Sequence, residues 1–180
     1  SSTGGAPHDF SVTENYYCFI ENRLEGDINQ YILGNKTPAE CLRLSASQPM
    51  ILNLVPRPNT SAISSDDDKK KEVIRVELGP GFTIHSPCAF ENNQGNIELY
   101  TTAWDSQAVK NGAAKGGLLG NWEGTAPDFE DIPLTLLYKT IVNPTTGELI
   151  SHAPVIGLES TVVEHPHIDP RQETTQVNYL

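Results

Sequence analysis

The sequence is poor in several residue types, and each scarcity narrows the classes of protein to which it can belong. Its 180 residues include three cysteines, one methionine and two tryptophans, and 12 basic residues stand against 23 acidic ones. Three cysteines, odd in number and far apart, argue against a disulfide framework and indicate a reducing or neutral compartment. No apolar run approaches the roughly 18–20 consecutive residues of a membrane-spanning helix. We therefore expect a globular domain without a transmembrane segment.

The shortage of basic residues also limits the partners of the chain. Its formal net charge is -11 at pH 7. Nucleic acid and anionic membrane surfaces would repel such a charge, so neither is expected as a general partner. One dense basic run, the lysines at 69–71, directly follows the aspartates at 66–68 and is largely cancelled by them.

Short apolar runs rich in β-branched and aromatic residues recur along the chain and predict an all-β fold. The predicted strands are residues 16–20, 51–55, 73–78, 82–85, 96–102 and 134–142. Hairpin turns are predicted at 92–96 and 143–148, where Asn, Gly and Pro separate apolar runs. Many short strands with such turns are typical of a sandwich, barrel or propeller. One short helix is expected near residues 37–42, with Thr37 as its cap and Pro38 at its first position.

Two segments interrupt the strand pattern. Residues 58–72 form a charged segment and residues 103–131 form a Gly-rich one with few β-branched residues. A loop of nearly thirty residues is unusual in a compact domain and is often functional or disordered. We interpret both segments as loop insertions on the surface.

Histidine supplies the candidate metal ligands, because its neutral ring nitrogens bind iron, zinc and copper. His8 comes just before an apolar strand, and His85 ends a predicted strand beside a tight turn, where it could point into a central channel. Packing at a strand edge against a backbone partner is the alternative interpretation for either residue alone.

A second group of candidates lies near the end of the chain. His165 and His167 would face the same side of a strand and could share a metal ion, although Pro166 between them indicates a bend. Glu164 closes an apolar run, and its carboxylate could orient a ligand histidine through the other ring N–H.

Three motifs in these segments resemble one family, the carotenoid cleavage oxygenases, which include the retinal-pigment isomerase. The first, H-D-F-x-x-T-x-x-Y, is matched by His8, Asp9, Phe10, Thr13 and Tyr16. The second, F-x-x-H-x-x-N-A-aromatic-E, is matched by Phe82, His85, Ala89, Phe90 and Glu91. The third, E-x-P-x-I-D-P-R, is matched by Glu164, Pro166, Ile168, Asp169, Pro170 and Arg171. Order and approximate spacing fit, and the resemblance extends from His8 to nearly the last residue.

The resemblance implies a seven-bladed β-propeller with Fe(II) on its axis, held by four histidines whose rings are fixed by glutamates. By residue match, His8 and His85 would be two iron ligands, and Glu164 would fix a ligand histidine. The activity implied is dioxygenase cleavage of a polyene double bond to apocarotenoid carbonyls. Residues 1–180 would form a single partial domain of about three blades, corresponding to the central portion of such an enzyme.

The sequence also departs from the family pattern. Cys88 stands where the family has Asn, and Lys139 where an Arg is usual. The other two histidines and two glutamates of the family have no counterpart here, so we expect the isolated chain to be inactive.

Two hypotheses follow from the match and the departures. The first is a portion of a non-haem Fe(II) carotenoid dioxygenase. The second is a degenerate, non-catalytic subunit without a cofactor, acting as a scaffold or pigment-binding partner in a larger complex such as a photosynthetic one. The partners implied are a carotenoid or apocarotenoid and other chains that cover open blade edges, with peripheral membrane contact allowed and nucleic acid excluded. A plastid is the expected location, and the cytoplasm the alternative.

Overall fold

The computed structural model of the protein describes residues 2–45, 47–58, 72–112, 117–118, 120, 122–123 and 126–177. Most of the predicted charged insertion, 58–72, lies outside the described residues. The described strands, in chain order, are β1 Ser2–Ala6, β2 Phe10–Val12, β3 Tyr16–Gly26, β4 Leu42–Leu44, β5 Met50–Pro56, β6 Ile74–Gly79, β7 Cys88–Glu91, β8 Ile97–Trp104, β9 Trp122–Glu123, β10 Ala126–Pro127, β11 Thr135–Asn143 and β12 Glu148–Pro154. The short helices are α1 Ile28–Ile32, α2 Pro38–Cys41 and α3 Ser106–Lys110, and a 3-10 turn spans Pro170–Gln172.

The first sheet is built around β3, an eleven-residue strand. One edge of β3 pairs with β2 and then β1, the other pairs with β5 and then β4, and β6 pairs with β5. Alternate side chains of β3 point into the core, so that Cys18 and Ile20 are buried. Between β3 and β4, helix α2 begins with the predicted cap, because Thr37 and Glu40 form a reciprocal capping box.

The second sheet is an antiparallel meander in the order β12-β11-β8-β7. Both predicted hairpin turns are confirmed, since one joins β7 to β8 and the other joins β11 to β12. Gly95 has φ of 76° and Gly147 has φ of 72°, the left-handed backbone that these turns require and that glycine adopts without strain.

The two sheets stand side by side as neighbouring blades. Strand β2 contacts β7, and β6 contacts β12, so that corresponding edges of the two sheets lie together. The buried core between them is shared by side chains of both sheets: Cys18, Ile20, Met50, Leu52, Leu54, Val76, Leu78, Ala89, Ile97, Leu99 and Val142. The predicted all-β propeller fold is confirmed. The described residues form two blade-like sheets and one isolated pair, β9 with β10, where about three blades were expected.

Two local differences from the sequence prediction have physical causes. Residues 82–85 were expected to form a strand, and they pair with β8 over a shorter stretch. Thr83 forms a bridge with Ala103, flanked by backbone bonds from Trp104 to Phe82 and from Ile84 to Thr102. The pairing ends before Pro87, which has no N–H to donate, and the amide of Asn22 binds the N–H and the carbonyl of Thr83 at 2.9 and 2.7 Å on the edge away from β8. The segment 103–131 contains α3, which the sequence pattern did not predict. Its N-cap is Asp105, and Val109 is buried.

The three thiols, Cys18, Cys41 and Cys88, are buried and free. None of the helices in the described ranges is both long enough and apolar enough to cross a membrane.

Candidate functional site

His8 and His85 meet where the two sheets adjoin. His8 comes just before β2 and His85 just before β7, and these two edge strands are neighbours. Their ring centroids are 5.6 Å apart and the ring planes are nearly perpendicular, at 84°. Two imidazoles that share one ion at metal–nitrogen distances of about 2.1 Å have centroids about 4.6 to 6.4 Å apart, depending on the bond angle. The spacing of the pair is therefore compatible with a shared metal ion.

Hydrogen bonds orient both rings. The Nδ1 atom of His8 lies 3.1 Å from the carbonyl oxygen of Ile84, and Nδ1 of His85 lies 3.0 Å from Oε2 of Glu164. A carbonyl and a carboxylate accept hydrogen bonds, so each contact favours the tautomer that carries its proton on Nδ1. That tautomer leaves Nε2 with a free lone pair, which is the form in which histidine binds a metal.

Glu164 reaches His85 from the segment that follows β12. The preceding residue, Val163, donates its backbone N–H to the carbonyl of Thr135 at 3.0 Å, which anchors this segment to the second sheet. The next residue, His165, has φ of 50° and its ring lies 4.4 Å from the ring of His85. Consecutive side chains therefore contact an edge and a face of the same imidazole.

His165 and His167 do not lie on a strand, in agreement with the bend expected at Pro166. Both line a cavity of about 340 Å³ beside His85, together with Asp9 and Glu173. The idea that these two histidines share an ion stays a prediction.

The apolar side of the site adjoins His8. A second, open cavity of about 330 Å³ is lined by Pro7, His8, Asp9, Phe10 and Phe19. Phe10 is 58% exposed, a large fraction for an aromatic side chain beside a candidate metal ligand. The histidine pair thus lies between a polar cavity and an aromatic one.

Two carboxylates in the motifs make contacts that the sequence pattern did not predict. Asp9 accepts the backbone N–H of Ser86 on Oδ2 at 2.8 Å. Glu91 accepts the Thr13 hydroxyl at 2.7 Å and both the backbone and side-chain N–H groups of Asn15 at 2.8 Å. Both carboxylates join residues of the first sheet to residues of the second. Their position in the two histidine motifs was the available signal, but the partners lie more than 70 residues away in the chain.

The two departures from the family pattern are accommodated within the second sheet. Cys88 is 3% exposed on β7, opposite Tyr100, and burial raises the pKa of its thiol to about 12. Lys139 places its Nζ atom 2.6 Å from Oε2 of Glu98 and near the ring of Tyr100. Although burial alone would raise the pKa of Glu98, hydrogen bonds from Asn92 and Lys139 hold it below the usual value.

The residues present fit part of a metal centre. His8 and His85 supply two oriented nitrogen donors, which suit iron as well as zinc or copper. Within the described ranges, no group of three or more His, Cys, Asp or Glu side chains is arranged to hold an ion. Two nitrogens are fewer ligands than a closed site requires.

The chain is similar in sequence to one family of known proteins. The sequence profile of the retinal pigment epithelial membrane protein family matches residues 2–180. The apocarotenoid-15,15'-oxygenase of Synechocystis sp. is 24% identical over 173 residues, which are 96% of this chain and 30% of the relative. The chain thus spans less than a third of that protein.

Solved structures of related proteins share the fold of this chain. The cobalt-substituted Synechocystis apocarotenoid oxygenase superposes with a TM-score of 0.72 at 21% identity, covering 96% of this chain and 31% of the other. A chimera of that oxygenase and the retinal pigment epithelial membrane protein gives a TM-score of 0.70 at 20% identity, covering 97% and 32%.

Proposed function

We propose, given that the chain belongs to the retinal pigment epithelial membrane protein family, that it forms part of the metal centre of a carotenoid cleavage dioxygenase. His8 and His85 would be two ligands of Fe(II), and Glu164 would fix the ring of His85. The observation that carries this proposal is the meeting of two imidazoles from adjacent sheets, each held by a hydrogen bond at Nδ1. The other ligands would come from parts of the protein outside the matched portion.

Each of the three side chains has a distinct part. Bound Fe(II) would supply activation of dioxygen next to a substrate double bond. His8 and His85 would present Nε2 to the ion, since Nδ1 of each ring is already engaged. Glu164 would raise the basicity of the His85 ring and partly offset the charge that neutral nitrogen ligands leave uncompensated.

The surroundings of His8 suit an apolar polyene. Phe10 and Phe19 line the open cavity beside His8, and their faces can pack against a conjugated chain. The Synechocystis relative is named for an apocarotenoid, and we propose a carotenoid or apocarotenoid as the substrate class here. A plastid would be the corresponding location. The segment 58–72 would be an insertion on the surface, as would the parts of 103–131 outside β8 and α3.

The proposal is tested by the iron content of this chain and, in a protein that supplies the remaining ligands, by product formation. We expect bound iron by elemental analysis in both, and an aldehyde product by chromatography only where the remaining ligands are present. His8→Ala and His85→Ala should each lose iron and product, whereas His152→Ala, which changes a histidine on β12, should keep iron. Absence of metal in the wild type, with unchanged assembly and pigment content in both variants, would instead support the non-catalytic subunit.

A further inference from the structure

Residues 84–86, which adjoin the second sheet, are bound by residues at the start of β2 in the first sheet. The carbonyl of Ile84 lies 3.1 Å from Nδ1 of His8, and the N–H of Ser86 donates to Oδ2 of Asp9 at 2.8 Å. The hydroxyl of Ser11 lies 2.8 Å from the carbonyl of Ser86 and 2.7 Å from its hydroxyl. We call these contacts of His8, Asp9 and Ser11 with residues 84–86 the inter-sheet clip.

The clip surrounds the backbone of His85, because its contacts fall on the residues immediately before and after it. The carbonyl of His85 accepts the N–H of Thr102 at 2.8 Å, which ties this segment to β8 of its own sheet. Ser86 is followed by Pro87, which has no N–H to donate. The clip ties the same segment to the first sheet, and Asp9 supplies its charged hydrogen bond.

Both oxygens of Asp9 are used. Oδ1 accepts the N–H of Phe10 at 2.8 Å, while Oδ2 accepts the N–H of Ser86. The carboxylate thus ties the residue after His8 to the residue after His85. An amide side chain has a single acceptor oxygen and can satisfy one of these two N–H groups.

We propose that Asp9 is a positioning residue, which sets the distance between the imidazoles of His8 and His85 so that one ion can bind both. This inference rests on the proposed function. It goes further by stating that the geometry of the metal ligands is fixed by a contact between sheets, before any metal binds. Loss of the carboxylate would let residues 84–86 shift relative to β2, which would separate the two rings.

The experiment compares two contacts that join the same sheets. Asp9→Ala and Asp9→Asn alter the inter-sheet clip, whereas Glu91→Gln alters the other carboxylate contact, five residues beyond Ser86. Co²⁺ is the probe, added to the metal-free full chain and followed by its visible absorption and by calorimetry. Substitutions of residues that orient metal ligands typically lower affinity about 10- to 100-fold. We expect Asp9→Ala to fall in this range, Asp9→Asn to lose less, and Glu91→Gln to bind Co²⁺ as the wild type does.

A metal-free measurement separates positioning from folding. Hydrogen exchange of the Ser86 amide should quicken in Asp9→Ala and stay unchanged in Glu91→Gln, even if both variants melt at a lower temperature. Wild-type affinity for Co²⁺ in Asp9→Ala, or an equal loss in Glu91→Gln, would overturn the positioning role while leaving the ligand pair intact. If the wild type binds no Co²⁺, the proposed metal centre fails, and the positioning role fails with it. Should Asp9→Ala not fold, Asp9→Asn and Ser11→Ala test the same contact more gently.

Discussion

Because the Nε2 atom of His152 is buried, we predict that the free energy of unfolding falls at acid pH, independently of the metal site. It lies on β12 opposite Thr140 of β11, and its Nδ1 atom lies 2.8 Å from the Thr140 hydroxyl. Its ring packs 4.8 Å from that of Tyr138, and its Nε2 atom is buried without a hydrogen-bond partner. A proton on Nε2 would place a positive charge in this apolar contact. Burial lowers the pKa of His152 to about 4.

The size and sign of the effect follow from linkage. An unfolded histidine has a pKa of about 6.5, so between pH 6.5 and pH 4 the unfolded chain binds a proton that the folded chain does not. The contribution of His152 to stability is therefore complete above pH 6.5 and is lost as pH falls toward 4. A difference of about 2.5 pKa units at 1.36 kcal/mol per unit gives roughly 3 kcal/mol as the upper limit of the loss.

The assay is urea denaturation at several pH values between 4 and 8, for the wild type and for His152→Phe. Phenylalanine keeps the ring against Tyr138 and does not titrate, although it gives up the bond to Thr140. We expect the stability difference between wild type and variant to narrow by up to about 3 kcal/mol as pH falls from 7 to 4. His167→Gln, at an exposed histidine, should follow the wild-type profile. Parallel curves for the wild type and His152→Phe would refute the reasoning, since carboxylate titration is common to both and cancels.

Three further substitutions test other contacts. Glu91→Gln removes at least the bond from the side chain of Asn15, and we expect a loss of about 1.5–3 kcal/mol in thermal unfolding; an unchanged melting temperature would contradict the contact. Glu164→Gln keeps an acceptor for the Nδ1 proton of His85, so Co²⁺ affinity should fall less than in Glu164→Ala, and equal losses would show that charge alone matters. Gly147→Ala places a side chain on a left-handed residue and should cost about 1 kcal/mol in urea denaturation, a result that an unchanged midpoint would contradict.

Local sequence patterns predicted the strands that are apolar on one face. For a strand that also buries polar side chains, the predicted range was shorter than the observed strand. Strand β3 was predicted for 16–20, yet it continues to Gly26, where β1 and β4 pair with it; within this stretch Asn22 is 1% exposed and bonds to Thr83 of the second sheet. In the sequence alone, a buried Asn cannot be distinguished from an exposed one, because its hydrogen-bond partner is not known. The edge strands β1, β2 and β7 are short or weakly apolar, and their pairing comes from the neighbouring strand.

The residues of the candidate site could be predicted from the sequence, whereas the hydrogen bonds that orient their rings could not. Spacing alone left His8 and His85 with a plain packing role as the alternative, and the family motifs singled them out together with Glu164. The partners that orient the rings could not be read from the chain, since Ile84 lies 76 residues from His8 and Glu164 lies 79 from His85. Their part in metal binding stays a prediction.

The placement of the two histidines follows from the similar construction of the two sheets. Each comes just before an edge strand of its own sheet, β2 or β7, and the two sheets stand side by side with these edges together. A separation of 77 residues in sequence therefore becomes 5.6 Å between rings without a dedicated loop to bridge it. The spacing of the two rings therefore depends on the fit between the sheets, and the contact of Asp9 with Ser86 is the inter-sheet contact that adjoins both histidines.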